Sequence, residues 1–263
     1  MEDIKEPEQV KPAKNRPQKS AKLCEHMAYS AREAFKRLRT NMLISLGELS
    51  DKSNNIVGIT SAQPSEGKST VAVNLAYSLG ELGKKVIVLD CDLRRPTIHS
   101  NVGVRQTPGI TEVLDGTVKL GNAVMRYKSS TNSTYFDLVT SGELPDNPSE
   151  ILGSKNFLQL LKVVSEVYDV VILDLPPVNA VIDAAIVSQL TDGLILIIRE
   201  DHCPRFVLQD CMEQLKYAKA NILGFVMNGS ASGAGKRYKY KYGKAYGYGY
   251  GYYQYGPYGH YGK

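Results

Sequence analysis

Apolar and polar positions along this chain fall into two kinds of block. Short continuous apolar runs recur at Ile56 to Ile59, Val86 to Leu89, in DVVILD ending at Asp174, at Leu194 to Ile198 and at Ile222 to Met227, and Phe136 to Thr140 reads as a further short strand. Runs this short, apolar at odd and even positions alike, fit strands buried on both faces. Between them lie longer stretches of helical spacing. From Ser30, Phe35, Leu38, Met42 and Leu46 form a stripe with charged residues on the other faces. VAVNLAYSLGELG from Val71 and the segments Ser149 to Tyr168 and Pro204 to Lys219 also read as helices, with Ser149 as an N-cap. The Pro-, Asn- and Gly-punctuated stretch Pro96 to Gly121 reads as short helices and loops. Strands alternating with helices predict an α/β fold: a mainly parallel sheet, helices on both faces, right-handed crossovers.

The ends are different material. Residues 1–22 are rich in Pro, Lys and Glu and poor in large apolar groups, the composition of a disordered lead. Residues 231–263 hold eleven of the seventeen tyrosines, spaced by Gly and Lys: Tyr238, Tyr240, Tyr242, Tyr246, Tyr248, Tyr250, Tyr252, Tyr253, Tyr255, Tyr258 and Tyr261. Glycine at that density prevents a packed core and keeps the phenols exposed in a flexible tail. One domain over 23–230 remains.

Charge sharpens this division. The net +5 is concentrated at the ends, with six basic groups and no acid in residues 236–263. The middle is mildly acidic, so a nucleic-acid-binding core is not indicated. Cys24, Cys91, Cys203 and Cys211 form no C-x-x-C pair, which argues for free thiols and against a zinc or iron–sulfur site. No apolar run reaches about 18 residues and the first residues lack an apolar signal centre. The expectation is a cytoplasmic protein that reaches a membrane through a partner.

The chemistry centres on IVGITSAQPSEGKST, Ile56 to Thr70. Strand, Gly-containing loop and helix start in that order make Gly-Lys-Ser a phosphate cradle, a P-loop of the NTPase type. Pro64, Ser65, Glu66, Gly67, Lys68, Ser69 and Thr70 are the candidate nucleotide-binding residues. Backbone N–H groups and the helix dipole favour an anion there. Lys68 is placed to reach the terminal phosphates, and the Ser69 hydroxyl to ligate Mg²⁺. Ala62 stands where this pattern usually opens with Gly. Asp90 and Asp92 end one apolar run and Asp174 ends another, where open α/β sheets place their ligands. Mg²⁺ commonly takes one or two carboxylates plus phosphate oxygens, which leaves one acid of the three for other work. A tyrosine phenol attacks well only if its proton is taken during the attack. Arg94 and Arg95 are candidates to stabilise charge or bind an acidic group. A phosphoryl-donor site tethered to a tail of phenols makes the tail a candidate substrate.

SAQPSEGKST, VIVLDCDLRRP and VVILDLPPV resemble the three Walker-type motifs of the bacterial tyrosine kinases of capsule and exopolysaccharide synthesis. The helix REAFKRLRTN, the loop LPDNPSEIL and the tyrosine cluster extend the resemblance over almost the whole chain, close to the separate kinase subunits of Gram-positive bacteria. The resemblance implies ATP-dependent autophosphorylation of the tail between subunits of a ring-shaped oligomer. It assigns phosphate and Mg²⁺ to Lys68 and Ser69, the metal and its waters to Asp92 and Asp174, and the base for the phenol to Asp90. Asn228 is implied to read the adenine. Glu33, Lys36 and Arg39 stand where the family carries a Glu-x-x-Arg-x-x-Arg subunit contact, with lysine in place of one arginine. Implied partners are a membrane-bound activator (the polysaccharide co-polymerase subunit), a cognate tyrosine phosphatase and other protein substrates, with no nucleic acid. The rival readings are a partitioning or cell-division-positioning ATPase and a non-kinase ATP-binding regulator of a polysaccharide exporter. The first typically carries an extra lysine early in the loop, and SAQPSE has none.

Overall fold

The computed structural model describes residues 8–9, 24–47 and 55–229. The expected tyrosine tail, and the expected N-terminal lead apart from residues 8–9, lie outside them. In chain order the elements are β1 (Glu8–Gln9), a 3-10 turn (Cys24–His26), α1 (Tyr29–Ser45), β2 (Asn55–Ser61), α2 (Lys68–Gly80), β3 (Val86–Asp90), α3 (Ile98–Val102), α4 (Ile110–Leu114) and α5 (Leu120–Ala123). There follow β4 (Met125–Lys128), β5 (Tyr135–Val139), α6 (Pro148–Leu152), α7 (Lys155–Val167), β6 (Val170–Asp174), α8 (Asp183–Ser188), β7 (Gly193–Arg199), α9 (Arg205–Tyr217) and β8 (Ile222–Asn228).

The strands form one sheet in the order β1-β4-β5-β3-β6-β2-β7-β8. All neighbours are parallel except β4 and β5. The chain therefore builds β2 and β3 with a gap between them and fills the gap later with β6. The three central strands end side by side. Asp90 on β3 is directly opposite Asp174 on β6, and Asp174 is opposite Ile59 on β2. Opposed residues in neighbouring strands project to the same face.

The continuous apolar runs are explained by two cores, one on each face. Ile87, Leu89, Val171, Leu173, Leu194 and Leu196 pack with α4, α7 and α9. Val57, Ile59, Val86, Val88, Val170, Ile172, Ile195 and Ile197 pack with α2 and α3, and α1 lies outside α2. The stripe predicted on α1 is the contact: Met42 is buried, and Phe35, Leu38 and Leu46 pack partly buried beside it. Among the described residues no helix is long and apolar enough to cross a membrane.

Four details depart from the sequence reading. The helix expected from Ser149 to Tyr168 is two helices, broken at Gly153, and Ser149 caps neither. Ser154 caps α7, its hydroxyl accepting from the Phe157 amide, while the Ser149 hydroxyl donates to Asp183 on α8. Strand β4 carries no apolar run, and its stability comes from cross-strand partners. Arg126 grips Asp137 of β5 at 2.8 and 3.0 Å and Tyr127 stacks on Phe136. Helix α8 is only six residues long, too short to show a periodicity. The lead is not wholly featureless, since Glu8–Gln9 adds a short parallel strand beside β4.

Met42 is 2% exposed and is the fully buried residue of α1. Met42→Ala is expected to lower the unfolding free energy by about 2–5 kcal/mol, measured by urea denaturation. A loss below 1 kcal/mol (roughly that of a surface substitution) would show that α1 is not held by this contact.

Candidate nucleotide site

The site begins with a helix that starts without a cap. Gly67, at φ +94°, turns the chain from the loop into α2, and no side chain caps the helix and no acid occupies its first turn. A Cβ on Gly67 would lie 2.1 Å from the Asn228 side-chain nitrogen, so both the backbone angle and the space require glycine. Ser65, at φ 66°, is a non-glycine residue in the left-handed region, a conformation that persists only where neighbours enforce it. Those neighbours are visible. The Glu66 carboxylate, wholly buried, accepts from the Gln63 amide at 2.9 Å and the Arg199 amide at 3.2 Å. Arg199 donates to the Ser65 carbonyl and Asn228 donates to the Glu66 carbonyl at 2.8 Å. Ala62 is buried at an ordinary φ, so nothing at that position demands the glycine of the usual pattern.

Two of the residues singled out in the sequence also brace the loop. The side chain of Asn228, which the resemblance assigns to the adenine, stitches β8 to the phosphate loop through its amide nitrogen. Glu66 is part of the loop, but its side chain faces inward and holds the loop's shape. A cavity of about 570 Å³ opens in front, a size usual for small-molecule sites. Pro64, Ser65, Gly67, Lys68, Ser69 and Thr70 form one wall, and Asp92, Arg94, Arg95, Thr97 and Asn101 a second. Pro176, Pro177, Ala180 and Val181 supply an apolar third.

Some charged groups line this cavity and two acids lie behind it. Lys68 Nζ donates to Asp92 Oδ2 at 2.9 Å, a pair with both side chains largely buried. Burial works against the ammonium, but Asp174, Asp92 and Asp90 together raise its pKa above the usual lysine value. Asp92 also accepts from the Arg95 amide at 3.0 Å, so it shapes its own loop as well as facing the cavity. Asp90 and Asp174 are wholly buried and do not line the cavity. Burial, then the facing Asp174 and Asp92, push the Asp90 carboxyl well up. Burial likewise pushes Asp174 up to about 6, with Lys68 and Ser69 pulling it back. No hydrogen bond of ordinary geometry reaches either Asp174 side-chain oxygen, Ser69 being near enough only to lower its pKa, and one Asp90 oxygen also lacks a partner.

Those orphaned oxygens are the observation that a cation fits. A buried carboxylate without partners is costly, and a metal ion beside Ser69 would satisfy it. Among the described residues no group of three or more His, Cys, Asp or Glu side chains is arranged as a closed cage. The fit is therefore to an ion that draws its remaining ligands from phosphate and water, as Mg²⁺ does.

Residues that the sequence did not single out complete the walls. Thr97 donates to the Ser69 hydroxyl at 2.8 Å. Asp183, wholly buried on α8, takes Arg94 through both oxygens (2.9 and 3.2 Å) and accepts from Ser149 at 2.6 Å. Arg94 and Arg95 are both exposed, and Arg94 is held in a bidentate pair with Asp183. A Thr after Pro and an Asp after an apolar loop carry no signal strong enough to find them without coordinates. On α1, Glu33 and Lys36 pair at 2.8 Å on the surface. Arg39 turns inward to the Ser78 carbonyl and hydroxyl and to Glu81 at 3.5 Å, so of the three expected interface charges it is already engaged within the chain.

The Asp174 pKa gives a pH dependence. Its folded value lies above the ordinary 3.8, so the neutral acid favours the fold at low pH and that contribution is lost as pH rises through about 6. The loss is on the order of a few kcal/mol. Nucleotide-free Asp174→Asn is expected to resist urea better than the natural chain at pH 8, with the gap closing toward pH 4. Parallel pH profiles for the two proteins would contradict it.

Comparison with known proteins agrees with this geometry. Residues 54–221 match the family model described as an AAA domain. The tyrosine-protein kinase YwqD of Bacillus subtilis (strain 168) is 39% identical over 197 residues, covering 75% of this chain and 80% of that protein. The kinase domain of the Escherichia coli tyrosine kinase ETK is 34% identical with a TM-score of 0.70, covering 81% of each chain. The septum site-determining protein MinD of Pyrococcus horikoshii OT3, complexed with Mg-ADP, is 26% identical with a TM-score of 0.51, covering 66% of this chain and 69% of that one. A relative on this fold thus holds a magnesium nucleotide, but identity and superposition both favour the kinases. With its P-loop α/β sheet, the chain belongs to the family of bacterial tyrosine-protein kinases.

Proposed function

We propose that this chain transfers the terminal phosphoryl group of ATP to tyrosine hydroxyls, foremost those of Tyr238 to Tyr261, and serves capsule or exopolysaccharide synthesis and export. The observation that carries the reading is the buried Lys68–Asp92 pair set at an uncapped helix N-terminus, beside the partnerless Asp174. This arrangement suits a polyphosphate with a divalent cation. The α2 amides and Lys68 hold the phosphates, with Lys68 exchanging Asp92 for phosphate oxygen when the nucleotide enters. Ser69 and Asp174 hold Mg²⁺ and its waters, and when bound that ion neutralises charge on the phosphate oxygens.

Release from Lys68 leaves Asp92 facing the cavity as a free carboxylate. Asp92, rather than the expected Asp90, then accepts the phenol proton as the tyrosine oxygen bonds to phosphorus and the bond to the ADP oxygen breaks. Access supports the exchange of roles, since Asp92 lines the cavity and Asp90 does not. Asp90 instead accepts from the Ile98 amide at 3.3 Å and fixes the start of α3. The apolar wall at Pro176 to Val181 suits the ring of the acceptor and excludes water.

The wider assembly follows the family. The chain forms a homo-oligomer through the outer face of α1, where Glu33 and Lys36 offer their charges. It is cytoplasmic, is recruited by a membrane-bound activator and is reversed by a tyrosine phosphatase. A partitioning-type ATPase or a non-catalytic regulator is the alternative. Incubation with Mg-ATP followed by anti-phosphotyrosine detection is expected to give a signal that Lys68→Met abolishes. No signal from the natural chain, even with the membrane activator added, would favour the regulator.

A further inference from the structure

Thr97 occupies the residue before α3 begins, the position where a threonine ordinarily turns its hydroxyl to the amides of its own helix. It makes no such bond. Its hydroxyl donates instead to Ser69 Oγ, 2.8 Å away on α2. The next amide in the chain, Ile98, is likewise turned to the site and donates to Asp90. The start of α3 is therefore tied to the site twice, by a backbone amide and by a side chain, and Thr97 stands on the cavity wall. Pro96 precedes it and restricts the approach of the chain.

The consequence lies in how a hydroxyl is shared. Serine offers one hydrogen and two lone pairs. A free Ser69 rotor turns its hydrogen in any direction, including toward a cation, where it repels. A donor fixed at 2.8 Å takes one lone pair and bars the Ser69 hydrogen from that direction. The remaining hydrogen and lone pair then divide between the acid side, where Asp174 lacks a partner, and the metal. Outer partners that orient a metal ligand in this way typically change metal affinity or activity by about 10–100-fold when removed.

We propose that Thr97 is a positioning residue for the metal, orienting the Ser69 hydroxyl so that a lone pair rather than a hydrogen faces Mg²⁺. This rests on the reading of Ser69 as the metal's protein ligand. The role is specific to the metal-dependent part of binding, because Thr97 acts through Ser69 and not on the phosphate-holding amides.

The test is calorimetric titration of ADP into the full chain, with and without Mg²⁺, for the natural protein, Thr97→Val, Thr97→Ser and Ser69→Ala. Thr97→Val keeps the shape and removes the hydroxyl. It is expected to lose about tenfold or more of the enhancement by Mg²⁺, taken as the ratio of affinities with and without the metal in the same variant, while Thr97→Ser restores that ratio. Natural Mg²⁺ enhancement in Thr97→Val, or equal losses in the Val and Ser variants, would overturn the proposal while leaving Ser69 as ligand. An unchanged Mg²⁺ response in Ser69→Ala would overturn both. Unfolding midpoints of the four proteins accompany the titration, and a loss in Thr97→Val that follows a lowered midpoint and extends to metal-free ADP would also count against the proposal.

Discussion

Two carboxylates placed opposite each other on neighbouring strands are the constraint on which this site is built. Asp90 and Asp174 face one another across β3 and β6, wholly buried, with an ammonium the nearest compensation. Like charges in a dry site raise each other's pKa, and burial does the same. The sheet tolerates them because its buried apolar strands and two cores over-determine where those strands end. The single cation that arrives, Lys68, is shared between Asp92 by direct contact and the two deeper acids by field. What results is a pocket floor short of positive charge, at the mouth of a helix whose first amides lack a cap. A magnesium nucleotide supplies both missing pieces.

The surrounding braces make sense as means of keeping that arrangement rigid. The phosphate loop has one left-handed glycine and one left-handed serine, and is held from beneath by Glu66 and from the side by Arg199 and Asn228. The opposite wall is held by the buried Asp183, which clamps Arg94 and Ser149 and so joins α6 and α8 to the loop after β3. The Asp183 end of this pair is wholly buried and the Arg94 end is exposed, so solvent screens part of the attraction. These contacts connect two segments the sequence singled out separately, DLRRP and DNPSEIL, through the stretch after LPPV, which it did not.

Much of this was legible in the sequence because the chemistry is local there. SEGKS combines a glycine turn, a cation and a hydroxyl within a few residues, and the strands before Asp90 and Asp174 read as apolar runs. The two acids could be paired because both sit at strand ends. What was not legible depends on distances between segments. Asn228 and Glu66 carry amide and carboxylate groups suited to binding a ligand, yet each bonds backbone far away in sequence. Asp90 and Asp92 are two residues apart, and only coordinates separate the one on the cavity wall from the one behind it. Ser149 has the chemistry of a cap, but Ser154 sits where α7 begins, so the hydroxyl of Ser149 was available to Asp183. Strand β4 depends on a salt bridge and a ring stack, neither of which has a periodicity.

The central claim is that the acids at the ends of β3 and β6 are held against their electrostatic preference and are relieved by the metal nucleotide. Carboxyl-¹³C NMR titration of aspartate-labelled protein tests it most directly, with the Asp174 resonance assigned by its loss in Asp174→Asn. The account predicts that this carboxyl titrates near 6 in the nucleotide-free chain and moves down into or below the ordinary carboxylate range when Mg-ADP is added. An Asp174 carboxyl that titrates in the ordinary range from the outset, or that does not respond to Mg-ADP, would contradict it.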